Sequence, residues 1–206
     1  TDEDQTGSWI DDDASGVLSG NLVNLSSLAP ATYHFTYDVA AIGSCDDALV
    51  PVSVTINPLP KTGTPTPVVL CQNDLATNSP LDLFNQLSGE DAGGTWTDDN
   101  TTGALSGSNV NLTALTIGSY SFTYSITDAN GCPNSSTVVV TVEDAPKSGT
   151  ATAPLEYCLA AITPAQTVNL FDLLTGEDQT GGWNDDDASG ALSGNLINID
   201  GLSAGI

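Results

Sequence analysis

The chain has 206 residues, with 26 acidic side chains against two lysines and no arginine, for a formal net charge of −24. Phosphate contacts need Lys and Arg, so this balance excludes nucleic-acid binding and disfavours docking on an anionic membrane surface. No apolar run approaches the roughly 20 residues of a membrane span, and charge this large opposes compaction unless salt or divalent cations screen it. The composition therefore predicts an extracellular setting rich in ions.

Tryptophan recurs at Trp9, Trp96 and Trp183, each time inside the same stretch: GSWIDDDASGVLSGNLVNL, GTWTDDNTTGALSGSNVNL and GGWNDDDASGALSGNLINI. The spacing is 87 residues twice over. The chain reads as a tandem array whose unit is one 87-residue repeat, a pattern that serves length or valency more readily than one active site. Thr1 falls partway through a unit and the sequence holds no Met, so a piece of a longer chain is expected. The expected division is 1–58, the C-terminal part of one repeat; 59–66, a linker; 67–144, a complete repeat; 145–153, a second linker; and 154–206, the N-terminal part of the next. Both linkers are rich in Pro, Thr and Gly, which makes them stiff and extended.

In chain order, Tyr33, Phe35, Tyr37 and Val39 alternate with polar residues, as do Val52, Val54 and Ile56. Strict period two predicts strands with one buried face. The complete repeat then offers a short strand at Val68–Leu70 and the one helical candidate, Leu81–Leu87, of one or two turns at most (its counterpart is Leu170–Leu174). A strand follows through Val110, Leu112 and Leu115. Two longer ones follow, through Tyr120, Phe122, Tyr124 and Ile126, and through Val138, Val140 and Val142. Short strands separated by Gly, Asn and Asp turns predict an all-β fold of tandem immunoglobulin-like antiparallel sandwiches. Gly118-Ser119-Tyr120 suits a tyrosine corner, with the hydroxyl bonded back to the backbone; the plain alternative is a core Tyr with a wet hydroxyl.

Each repeat carries two kinds of cysteine: Cys45 aligns with Cys132, and Cys71 with Cys158. The pairing within the repeat is Cys71–Cys132; the pairing across the linkers is Cys132–Cys158 with Cys45–Cys71. In a sandwich whose chain enters at one pole, Cys132 lies in the loop at that pole. The last strand then runs about 30 Å away from it. Cys71 is expected near the same pole and Cys158 beyond the far one. A disulfide needs Cα atoms within about 7 Å, so Cys71–Cys132 is expected, with Cys45 and Cys158 paired outside this sequence. Closing that loop is worth roughly 4 kcal/mol on the chain-entropy model, and stable disulfides imply export.

The constellation with most chemistry follows each Trp. Asp11, Asp13, Ser15 and Gly16 spell D-x-D-x-S-G; Asp98, Asn100, Thr102 and Gly103 spell D-x-N-x-T-G; Asp185, Asp187, Ser189 and Gly190 repeat the first. Alternating oxygen ligands before a Gly match the opening half of an EF-hand calcium loop. The position of its bidentate Glu is Leu22, Asn109 or Leu196, so the acidic pairs Glu3/Asp4, Glu90/Asp91 and Glu177/Asp178 would have to complete the shell. The competing reading is an Asp-rich turn in which each carboxylate caps its own backbone. The three Trp are expected in the core, the alternative being sugar-stacking platforms. Lys61 and Lys147 hold the same place in the two linkers, either solvated or paired with acids at a domain end. His34, the only histidine, falls on the polar side of its strand, so no Ser/His/Asp set forms and no enzyme is expected.

The order CQND, LFNQLSG or LFDLLTG, GTWTDD, GSYSFTY and NGCPNSSTVVVTV resembles the immunoglobulin-like repeats of giant cell-surface adhesins of Bacteroidetes, including type IX secreted adhesins of gliding and predatory bacteria. The resemblance spans the whole chain, although Ser44-Cys45-Asp46-Asp47 departs from the Gly-Cys-Pro-Asn of the later copy. It implies an extracellular module with an intradomain disulfide, serving as stalk or fibre. The leading expectation is such an extender, each unit adding about 40 Å, stiffened by the disulfide and by calcium where bound, with neighbouring repeats as partners. A calcium- or Trp-dependent binding module for glycans or surfaces, and a homo-oligomeric filament, are the alternatives.

Overall fold

The computed structural model describes residues 6–202. The chain divides into two compact units, one made of Thr1–Leu70 with Asp74–Glu143, the other of Cys71–Asn73 with Asp144–Ile206. The fold is all-β. Among the described residues, strands form seven sheets, each drawing its strands from one copy of the repeat, and the one α-helix is the single turn Leu75–Asn78.

The complete repeat is organised by one long hairpin. Gly118–Thr127 pairs antiparallel with Pro133–Glu143, in register from Gly118↔Val142 to Thr127↔Pro133. The alternation read in the sequence sets its faces. Phe122, Tyr124, Val138, Val140 and Val142 are almost wholly buried, while Ser and Thr point outward, with cross-strand hydroxyl contacts at Thr123–Thr137 and Ser119–Thr141. Each large apolar side chain so buried contributes about 1.5–3 kcal/mol. The four-stranded sheet runs Thr95–Asp98, Gly118–Thr127, Pro133–Glu143, Val68–Cys71. Its inner residues share one core with Leu75, Leu83, Leu87, Val110 and Leu112 from the smaller sheets and turns. Tyr120 is the expected corner: its hydroxyl donates to the Thr116 carbonyl at 3.0 Å, as Tyr33 does to Ala29 at 3.0 Å in the preceding copy.

Three local expectations change. The helical candidate splits into a strand at Leu81–Asp82, a 3-10 turn at Leu83–Gln86 and a strand at Leu87–Glu90, because Asp82 Oδ1 accepts the Phe84 N–H and starts a tighter turn. The strand drawn through Leu112 and Leu115 stops at Val110. Asn111 caps a 3-10 turn there by accepting from Thr113, and the two leucines bury from that turn instead. Finally, each expected linker contains a short strand. Thr62–Pro65 pairs with Leu87–Glu90, and Ser148–Ala151 with Leu174–Glu177. Gly63 at φ +78° and Gly149 at φ +77° carry the chain through each short strand in the left-handed region.

A compact tie anchors the incoming segment. The Lys61 N–H donates to Asp91 Oδ2 at 2.7 Å, and the Asp91 N–H donates back to the Lys61 carbonyl at 2.9 Å. The buried Tyr124 hydroxyl donates to the Asp91 carbonyl at 2.6 Å and accepts the Gly94 N–H at 2.9 Å. A Cβ on Gly94 would stand 2.5 Å from the Tyr124 ring, which is why no side chain is tolerated there. Parts of the tie recur: Gly7 N–H to the Tyr37 hydroxyl at 3.0 Å, and Lys147 N–H to Asp178 Oδ2 at 2.8 Å.

Tyr124→Phe leaves a carbonyl and an N–H without their partner. It is expected to cost about 1–3 kcal/mol, read as a lower denaturant midpoint with unchanged slope. Val69→Ser, on a side chain 59% exposed, should change stability by less than about 0.5 kcal/mol.

Candidate functional site: the tryptophan and aspartate turn

The strand Thr95–Asp98 lies against the centre of the long hairpin, with Trp96 opposite Tyr124. The Trp96 ring packs 5.3 Å from Tyr124 and 5.7 Å, edge-on, from Phe84. Trp9 packs 5.1 Å from Tyr37, and Trp183 packs 5.5 Å from Phe171. All three Trp are half-buried, between the core position expected and the exposed platform that is its alternative. The indole N–H of Trp96 is buried and unpartnered, as is Asp11 Oδ1.

Immediately after the strand the chain turns on Asp98. Its Oδ2 accepts from Thr102 Oγ1 at 2.7 Å and from the Gly103 N–H at 3.0 Å, and its Oδ1 accepts the Asn100 N–H at 3.2 Å. The other copies repeat this. Asp11 Oδ2 accepts from Ser15 Oγ and the Gly16 N–H, both at 2.9 Å. Asp185 Oδ2 accepts from Ser189 Oγ at 3.0 Å and the Gly190 N–H at 2.9 Å, while Asp187 adds its own N–H. Ala14, Thr101 and Ala188 stand at φ +51°, +54° and +51° in the three turns. This left-handed conformation is uncommon for residues with a Cβ, and the converging hydrogen bonds hold it.

The middle residues of the first two motifs turn away. Asn100 Oδ1 accepts the Ser121 N–H at 2.7 Å and Asp99 Oδ2 accepts Thr123 Oγ1 at 2.7 Å, clipping the turn to the central strand. In the first copy Asp13 Oδ2 accepts the His34 N–H at 2.6 Å and lies 3.1 Å from His34 Nδ1, and Asp12 Oδ2 accepts Thr36 Oγ1 at 2.8 Å. Asp98 and Thr102 therefore meet, as do Asp11 with Ser15 and Asp185 with Ser189, whereas Asn100 and Asp13 serve the neighbouring strand. Asp91 and Asp178, proposed by sequence to close the same shell, spend a carboxylate oxygen on Lys61 and Lys147. Glu3 and Asp4 lie outside the described residues. Among those described, no three His, Cys, Asp or Glu side chains gather as metal donors would.

The hydrogen bonds set the charges. Burial raises the Asp11 carboxyl, but the N–H and hydroxyl donors of Ser15 and Gly16 outweigh it and the net shift is downward. Donation from Gly190 and Ser189 lowers Asp185. In the hairpin turn, the Cys132 N–H, 2.8 Å from Asp128 Oδ1, lowers Asp128. Lys147 is raised by its hydrogen bond and charge contact with Asp144 at 2.7 Å.

All four cysteines are free thiols, Cys71 and Cys132 half-buried, Cys45 and Cys158 exposed. No bridge joins Cys71 to Cys132, the pairing expected from the sequence. Asn134 Nδ2 donates to the Pro60 carbonyl at 2.8 Å and Ser136 Oγ to the Thr62 carbonyl at 2.7 Å, which ties the incoming segment to Pro133–Glu143.

Sequence reasoning gave Asp91 a different role, closing a cation shell, and overlooked Asp128 and Asn134. For Asp91 the signal was present: Asp91 and Asp178 recur 87 residues apart opposite the two linker lysines. No known protein family matches the chain, and no curated protein matches it.

Asp11, Asp128 and Asp185 are lowered, so their stabilisation is present above the ordinary carboxylate range near ~4 and is lost as pH falls through their lowered values. Melting temperature should be flat above pH ~5 and fall below ~4. Asp128→Asn should melt lower than wild type at neutral pH with a shallower acid decline, followed by circular dichroism. Thiol titration of the unfolded, unreduced protein should count the four cysteines, and reductant should leave the melt unmoved; a bridge would show as a loss of about 4 kcal/mol.

Proposed function

We propose that the chain is an extender: a run of immunoglobulin-like β-sandwich repeats forming part of a secreted stalk or fibre of the adhesin type its motifs resemble. It is not an enzyme on this reading. Its chemistry is mechanical, and its immediate partners are neighbouring repeats. The observation that carries the reading is the recurring tie between a linker lysine's backbone and an Asp of the following strand-turn, Lys61 with Asp91 and Lys147 with Asp178. A linker drawn into a β-pair of the module it enters has few backbone torsions left to bend. The Asp turns support the reading too, since each uses its carboxylate to close a backbone rather than to present a reactive group.

The acidic surface suits an ion-rich exterior, where the Debye length is short and self-repulsion is screened. Calcium acts in this reading as a counter-ion to that surface. At fixed high ionic strength, melts in calcium and in chelator are expected to coincide; a calcium-dependent rise would mean native-state binding and would turn Asp98, Asn100 and Thr102 from turn residues into ligands. Pulled from its ends, the chain should show a cooperative unfolding event of the complete repeat that releases roughly 250 Å of length. Gradual extension at low force would sink the mechanical reading.

A further inference from the structure

The tip of the long hairpin carries the one Asn-Gly pair in the chain, Asn130-Gly131. Such a pair is chemically labile, because the glycine nitrogen reaches the Asn side-chain carbonyl carbon with no Cβ in its way. In the folded repeat that nitrogen is occupied. The Gly131 N–H donates to the Asp128 carbonyl at 3.1 Å and closes a β-turn, and the Asp128 N–H donates to the Cys132 carbonyl at 3.1 Å. Gly131, at φ +83°, returns the chain to its strand from the left-handed region. Asp128 holds the rest of the tip. Its Oδ1 accepts the N–H groups of Asn130 at 2.9 Å and Cys132 at 2.8 Å, and its Oδ2 accepts Asn130 Nδ2 at 3.3 Å. Nucleophile and target are thus both tied to Asp128, and bringing them together breaks the turn. Asn130 is exposed, so water and solvent base reach it. The corresponding turn of the first copy reads Ile42-Gly43-Ser44-Cys45 and holds no Asn.

We propose that Asn130 is a deamidation site that the folded turn guards and that opening of the hairpin tip releases. The Gly131 nitrogen, deprotonated by solvent base, attacks Asn130 Cγ. The new N–Cγ bond closes a cyclic imide, and Nδ2 leaves as ammonia. Water then adds to either imide carbonyl and opens the ring, giving aspartate at this position or its β-linked isomer. The balance is water in and ammonia out, with nothing oxidised or reduced. Neither product fits the turn. The aspartate has no side-chain N–H to give Asp128 Oδ2 and sets like charge against it. The β-linked isomer routes the main chain through the side-chain carbons, so the two N–H groups that converge on Asp128 Oδ1 no longer fall together. A converted tip therefore stays open beyond the last pair of the hairpin, Thr127↔Pro133. This goes beyond the extender reading. On that reading each unfolding under load is written into the chain as a lasting charge, but the chemistry rests on the hairpin alone.

The test incubates the whole chain, folded and in urea, at the same mildly alkaline pH and temperature in isotope-labelled water, and locates amide-to-acid conversion by peptide mass spectrometry. Conversion at Asn130, with labelled oxygen taken up, should run roughly tenfold or more slower in the folded chain than in the unfolded one, as for any step gated by local opening. Asp128→Ala removes the ties. Held below its own melt, checked by circular dichroism, it should convert faster than folded wild type, and in urea at the wild-type rate. After incubation in urea and return to buffer, wild type should melt lower than fresh protein, whereas Asn130→Gln regains its fresh melt. Equal rates in the folded and unfolded chain, a folded Asp128→Ala variant that converts no faster than wild type, or converted wild type that regains its full melt overturns the proposal. Pulling on single chains reads length and not mass, so failure here and failure of the extender reading are separable.

Discussion

The complete repeat depends on one buried hydroxyl. Tyr124 sits in the middle of the central strand, its ring against Trp96 and Phe84, its oxygen between the Asp91 carbonyl and the Gly94 N–H. A buried phenol is costly unless both its donor and acceptor capacities are met, and here both are met by the segment that leads into the Trp strand. That segment is held in turn by Lys61. The aromatic core, the entry of the chain and the start of the Asp turn are thus coupled, and Gly94 is required because the backbone passes too close to the ring for any Cβ.

An acidic chain must fold without counter-charges, and this one does so by giving carboxylates neutral donors. Asp82, Asp91, Asp98 and Asp128 each accept backbone N–H groups near them, and Asn24, Asn111, Asn169 and Asn198 do the same for 3-10 turns. The bonds to carboxylates are charge-assisted and stronger than neutral ones, and at Asp128 the Cys132 N–H lowers the carboxyl. They also close the Asp motif that resembles a calcium loop, where Oδ2 of Asp11, Asp98 and Asp185 each accepts the N–H of its own turn's Gly.

What the sequence alone determined was the long strands and which of their faces is buried. Period-two alternation placed the strands around Tyr120–Ile126 and Val138–Val142, the Gly-Ser-Tyr start placed the corner, and the 87-residue recurrence placed Trp9, Trp96 and Trp183 in one motif. These follow from side-chain spacing within a few residues. What only the tertiary structure decided was which distant groups meet. Asn134 and Ser136 meet the carbonyls of Pro60 and Thr62, and the Tyr124 hydroxyl selects Asp91. Thr62–Pro65 becomes a strand only because Leu87–Glu90 offers it an edge. None of these has a local signature, because a hydrogen bond across about 30 residues is set by the path of the chain and not by the residues at its two ends.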